Sequence, residues 1–100
     1  MNKFSVLRIV VLLLLLNAVR VPPDLVPVYQ VDWIPHDAIA LPYVILTKYN
    51  SEEIIAHERC HIQQMNQYGP VVMLVINVYY DYRYGYEHNP FEVQAYNDCK

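Results

Sequence analysis

The first twenty residues contain no acid, and the whole chain is poor in charge: 17% of its 100 residues are Asp, Glu, Lys or Arg, against 55% apolar. That balance excludes a disordered polyelectrolyte. A formal net charge of −3 leaves no basic footprint for a nucleic acid partner. Cysteine is sparse too, with Cys60 and Cys99 the only two. Outside the cytoplasm they could form one disulfide, from which a small core would gain. Two positions alone do not establish pairing, and two ordinary buried thiols are the simpler expectation. No internal repeat is visible, and the length fits one small domain near the lower limit for a self-sufficient core.

What charge there is lies segregated. Lys3, Arg8 and Arg20 occupy the acid-free head, while residues 21–100 hold all ten acids against four bases, a formal −6. Residues 9–16 read Ile-Val-Val-Leu-Leu-Leu-Leu-Leu without a break. A basic start followed by such a run fits a secretory signal, although Phe4 to Val19 falls short of the about 20 apolar residues that usually span a bilayer. An ordinary core helix would alternate with polar positions, and this segment does not. Residues 1–20 are therefore expected to be an uncleaved signal anchor or a signal peptide. Lys3, Arg8 and the α-amino group before the run, against Arg20 after it, orient the rest of the chain outside the cytoplasm. The protein is thus expected to be membrane-anchored or exported, contacting the membrane through its N-terminal segment.

Five prolines between Val21 and Pro42 forbid a continuous helix, so residues 21–37 are expected to run extended over the surface as a linker to a working domain at 38–100. Within or beside that stretch, Asp37–Leu41 and Tyr43–Thr47 have strand composition, with Pro42 suggesting an edge strand. Asn50 with Glu53 offers a capping-box variant for a helix that should end at Gly69. Residues 71–80 suit either a strand or a helix, and the preceding Gly-Pro favours a helix packed into the core. Tyr82–His88 reads as a Tyr-rich loop, and Asn89-Pro90 opens a last short helix. The fold class is α+β, with an apolar N-terminal helix in front.

The chemistry concentrates in His57-Glu58-Arg59-Cys60-His61. Four residues along a helix is one turn plus about 40°, so both imidazoles project from one face and could grip one metal at ~2.0–2.1 Å. With His57 at 0° and ~100° per residue, Tyr68, His61, Ile54, Met65, Ile62 and Ile55 form an apolar face, and Arg59, Gln63, Asn66 and Glu52 lie opposite. Glu58 falls in the middle of the apolar face. An unpaired carboxylate there costs several kcal/mol, which an ordinary amphipathic helix would avoid. A base beside a metal-activated water explains it. A catalytic zinc site needs a third protein ligand, and Glu87, His88, Glu92 and Asp98 are the downstream candidates. Glu92 has a plainer reading as the carboxylate of a capping box with Asn89.

The pattern His57-Glu58-x-x-His61-x-x-Gln64, a Tyr-Gly-Pro turn and Asn89-Pro90-Phe91-Glu92-x-x-Ala95 together resemble the short gluzincin-type zinc metallopeptidases (minigluzincin-like domains) over roughly residues 38–98. The resemblance implies a minimal zincin-like fold: edge strand beside the motif helix, a second core helix, and a short helix carrying the glutamate. It implies Zn2+ held by His57, His61 and Glu92, with Glu58 as general base. Many relatives follow the Glu-x-x-Ala with an acid that supports a histidine; this chain has Tyr96 there, and Asp98 is a substitute.

The expected activity is hydrolysis of peptide bonds in a peptide or protein substrate, using zinc-bound water activated by Glu58. Tyr86, Tyr96 and His88 are the candidate oxyanion stabilisers. A substrate strand could align along residues 43–47. The rival expectations are a non-catalytic module stapled by zinc and a membrane-associated interaction module. His36 reads as a surface residue and Trp33 as packed on the domain. The six tyrosines between positions 79 and 96 read as wet-edged core packing, and Gln64, on the metal-facing side of the wheel, as a hydrogen-bonding tie to a neighbouring segment.

Overall fold

A computed structural model describes residues 2–99; the α-amino group counted with the basic head lies outside the described residues. The described residues are α+β, with four helices and a three-stranded sheet: α1 (Lys3–Asn17), β1 (Val28–Gln30), β2 (Ala38–Leu41), β3 (Val44–Thr47), α2 (Glu52–Tyr68), α3 (Pro70–Tyr84) and α4 (Pro90–Asp98). Short 3-10 turns at Pro23–Leu25 and Tyr86–His88 complete it.

β2 and β3 form a hairpin in which Leu41 pairs with Val44, so Pro42 and Tyr43 make the two-residue turn. Proline sits in that turn rather than in a strand. β1 then adds to the far side of β3 in parallel, giving the order β1-β3-β2. Residues 44–47 are therefore central in the sheet, and its edges are β1 and β2. This corrects the expectation of a docking edge at β3.

The segment 21–37 forms no α-helix, as its prolines require. It is extended only in part, with a 3-10 turn at Pro23–Leu25 and a strand at Val28–Gln30, and it is no surface linker. Val26 and Ile34 are buried, and Val26 forms the innermost cluster with Ile45 and Ile62. The back of α2 holds this segment in place. Arg59 donates to the carbonyls of Pro23 and Val26, and Asn66 Nδ2 donates to Val21 O at 2.7 Å. Prolines leave carbonyls without neighbouring N–H groups to form a ladder, and side-chain donors of α2 take them instead. Trp33, expected to pack on the domain, is 72% exposed.

α2 begins one residue later than expected. Ser51, not Asn50, is the cap, its Oγ accepting from Ile54 N–H at 3.3 Å. It ends at Gly69, whose φ of +92° lies in the left-handed region open to glycine. A Cβ there would also collide with the Asn17 side chain. α3 then starts at Pro70 and runs on to Tyr84, through residues expected as loop, with Gly85 stopping it. Only Met73 of α3 is buried, so this helix walls the domain on one side instead of filling its core. α1 has no buried residue and reaches α3 through Asn17, whose Oδ1 accepts from Val72 N–H at 2.9 Å. Its 15 residues span about 22 Å at 1.5 Å per residue, and no helix among the described residues is long and apolar enough to cross a membrane.

Candidate metal centre

α2 supplies His57, Glu58, His61 and Gln64, and α4 supplies Glu92. Several ties bring the two helices together. Cys60 of α2 is disulfide-bonded to Cys99 at the end of α4, with Cα atoms 6.0 Å apart, which replaces the expectation of two buried thiols. Phe91 is buried against Tyr68 and Tyr80, with ring centroids 5.8 and 5.2 Å away. Asn89, completely buried, caps α4 by accepting from Phe91 N–H at 2.9 Å. Its Nδ2 donates to Asn77 and Asp81 of α3, each at 2.8 Å. The start of α4 is thereby fixed against α3, and Glu92 two residues on is aimed at α2.

His57 Nε2 lies 3.1 Å from Glu92 Oε2, His61 Nε2 lies 2.9 Å from Glu92 Oε1, and the two Nε2 atoms are 3.2 Å apart. Two imidazole nitrogens and one carboxylate thus converge on a single point. Ligands around a tetrahedral zinc stand about 3.3 Å from one another, so a small expansion of the group is all that separates this triangle from a coordination shell. The donor set His, His, Glu with an open fourth position suits Zn2+. Glu92 does not act as a capping-box carboxylate: the Asn89 N–H donates to Tyr86 O instead.

Gln64 orders the centre from behind. It is 3% exposed, and its Oε1 accepts from His61 Nδ1 at 2.9 Å, which fixes the ring with Nε2 directed at Glu92. Its Nε2 donates to Phe91 O at 2.9 Å and to Gln94 Oε1 at 2.8 Å, so one amide joins a histidine of α2 to the backbone of α4. The support for a histidine for which Asp98 was the expected substitute comes, for His61, from Gln64. Tyr96 instead lies against the His57 ring, centroids 4.5 Å apart. Asp98 is exposed.

The centre lies in a cleft of about 790 Å³. Ala38, Ile39 and Ala40 of β2 form one wall, Met73 and Asn77 of α3 another, and Glu58, Tyr86 and Tyr96 face the same space. Glu58 is half-buried. Burial pushes its carboxyl above the ordinary value, with His61 opposing the shift and Glu92 adding to it. For His61 burial works against the charged form, but hydrogen bonding to Glu92 and its charge prevail and the imidazole is shifted up. Burial would raise Glu92, yet bonding to His61 and the charges of both rings carry it below the usual carboxylate range. Burial raises the Tyr86 phenol, and the adjacent Tyr96 adds to this, so Tyr86 stays protonated as a donor.

Of the three candidate oxyanion stabilisers, Tyr86 and Tyr96 line the cleft, and His88 stands exposed on the turn before α4, outside the cleft lining. Among the six late tyrosines only Tyr80 is not exposed; Tyr79, Tyr82, Tyr84, Tyr86 and Tyr96 are, contrary to core packing. His36 is exposed as expected, yet it borders the cleft together with Asp37 and Glu53. These rim residues were missed, and so was the anchoring of Asn89; Asn77 and Asp81, one turn apart on α3, were the available signal for the latter. No family model, no curated protein and no solved structure matches the chain.

Proposed function

We propose that this chain is a small zinc-dependent peptidase of the short gluzincin type, its minimal zincin-like domain exported or membrane-anchored by the N-terminal segment and working outside the cytoplasm. The observation that carries the reading is the convergence of His57, His61 and Glu92 within hydrogen-bonding distance of one another, with Glu58 on the same cleft. A zinc ion held by these three residues would supply a Lewis acid that brings the pKa of a water near 7 and polarises a carbonyl. Glu58, its proton affinity raised by burial, takes the proton of the attacking water and returns it to the departing amine. Tyr86 and Tyr96 offer phenolic O–H groups to the oxygen of the tetrahedral intermediate. The free edge of β2 gives an extended substrate backbone a place to pair, along residues 38–41.

A purely structural zinc is the poorer reading, because the Cys60–Cys99 disulfide already fastens α4 to α2 and a second staple would be redundant. A staple also has no use for a half-buried carboxylate beside it. The decisive comparison is wild type against Glu58→Gln, with bound zinc and peptide hydrolysis measured on the same samples. Metal near one per chain in both, with hydrolysis lost in the variant, is the expected result. Equal hydrolysis in the two proteins would remove the general base, and no bound zinc in either would remove the enzyme.

A further inference from the structure

α3 has two faces with different surroundings. Toward the interior it gives Met73 and Asn77 to the cleft and Tyr80 to Phe91. On the other side, spread over about 160° of the helix, lie Val72, Leu74, Val75, Val78, Tyr79 and Tyr82, all exposed. No charged residue occurs from Pro70 to Tyr80. Asp81 follows, but its carboxylate accepts from Asn89 Nδ2 and belongs to the interior network. α1 adjoins this face, because Asn17 at its end holds the Val72 N–H. Along α1, Phe4 and the valines, isoleucine and leucines as far as Leu16 are exposed on every side.

We propose that the outer face of α3 is a membrane-contacting surface, seated on the same anionic bilayer that receives α1. Two observations select lipid over a second copy of the chain. A protein partner covers one stripe of a helix, whereas α1 is apolar all round from Ile9 to Leu16, as suits a surrounding of acyl chains. Lys3, Arg8 and Arg20, with no acid among them, complement anionic headgroups; a two-fold-related copy joined through the same helices would bring those cationic ends together. Tyr79 and Tyr82 stand where the uncharged stretch gives way to Asp81 and Arg83, the place phenols take at a membrane–water boundary. An interfacial helix sinks about 5–10 Å into the headgroup and upper acyl region. α3 alone, about 10 Å thick, then separates lipid from cleft. Resting on the peptidase reading, the substrate class is polypeptide lying against the membrane surface. The lipid contact itself does not depend on that reading.

The test uses the full chain in phosphatidylcholine–phosphatidylglycerol vesicles, with Trp33→Phe removing the native indole and Val78→Trp as the probe. Leu12→Trp in the same background is the reference inside α1, Leu74→Trp is a second probe of α3, and circular dichroism verifies that each variant folds. Lipids brominated high in the acyl chains should quench the Val78→Trp emission to a degree comparable with the reference, and aqueous iodide should spare it. Quenching by iodide but not by brominated lipid, at both α3 positions, would place the face in water and overturn the proposal. Protection from both quenchers would show that protein covers it, and would overturn it equally. Peptide hydrolysis is read separately, so its absence would count against the peptidase and not against the lipid contact.

Discussion

Gln64 shows how a single amide can order a candidate metal-binding group of which it is not itself a member. Its acceptor oxygen sets the proton of His61 on Nδ1, and its two donor bonds reach across to α4. Removing such a partner typically lowers metal affinity 10–100-fold, and that is the loss expected for Gln64→Leu in competition titrations with a chromophoric chelator. Gln64→Glu keeps an acceptor for Nδ1 while losing the donors to Phe91 and Gln94, so its affinity should lie between the two. If Gln64→Leu binds zinc as wild type does, the tautomer of His61 is set by something else. His57, Glu58 and His61 were legible in the sequence because helical periodicity is local and puts residues four apart on one face whatever the rest of the chain does. Rank among Tyr86, Tyr96 and His88 was not legible. It depends on how the turn before α4 faces the cleft, a tertiary matter that turns His88 outward.

At the scale of elements, the caps and stops of α2, α3 and α4 were readable to within a residue or a turn, since proline and glycine act through their own backbones. Sheet order was not. β3 became central because β1, drawn from a proline-rich stretch, supplied it with a parallel partner, and no feature of residues 44–47 records that. The role of the polar back of α2 was unreadable for a related reason: the wheel places Arg59 and Asn66 opposite the apolar face, and only the tertiary structure brings the carbonyls of residues 21–26 to their donors. α4 is the element on which the centre depends most, and Asn89 is its hinge pin. Asn89→Ala removes the cap and leaves Asn77 and Asp81 without their shared partner. We expect a stability loss of about 2–4 kcal/mol by urea unfolding. Glu92 should lose its aim as well, so zinc affinity ought to fall together with stability. A variant as stable as wild type would show that the disulfide and Phe91 suffice to seat the helix.

Over the whole molecule, the interior is small for the number of apolar residues. Val26, Ile45 and Ile62 form the innermost cluster, while α1 and the outer face of α3 keep theirs on the surface. The radius of gyration is 14.9 Å, against about 13 Å for a compact chain of this length. A small core gains most from ties between distant segments. The Cys60–Cys99 bond, closing a separation of 39 residues, contributes about 4 kcal/mol by loop-closure entropy. Zinc would tie the same two helices through His57, His61 and Glu92. Both ties favour the state with α4 docked on α2, so their binding equilibria are coupled with positive sign, and coupling is reciprocal. A double variant, Cys60→Ala with Cys99→Ala, avoids stray thiol ligands and should therefore bind zinc about 5–150-fold more weakly than the oxidised wild type. By the same cycle, saturating zinc should shift the reduction equilibrium of the wild-type disulfide toward the bonded form by a like factor. Both quantities are measurable on one preparation, by chelator competition and by thiol titration in redox buffer. Equal zinc affinity in the two proteins would mean that α4 stays docked through Phe91, Gln64 and Asn89 alone, and that the disulfide acts on the unfolded chain without shaping the centre.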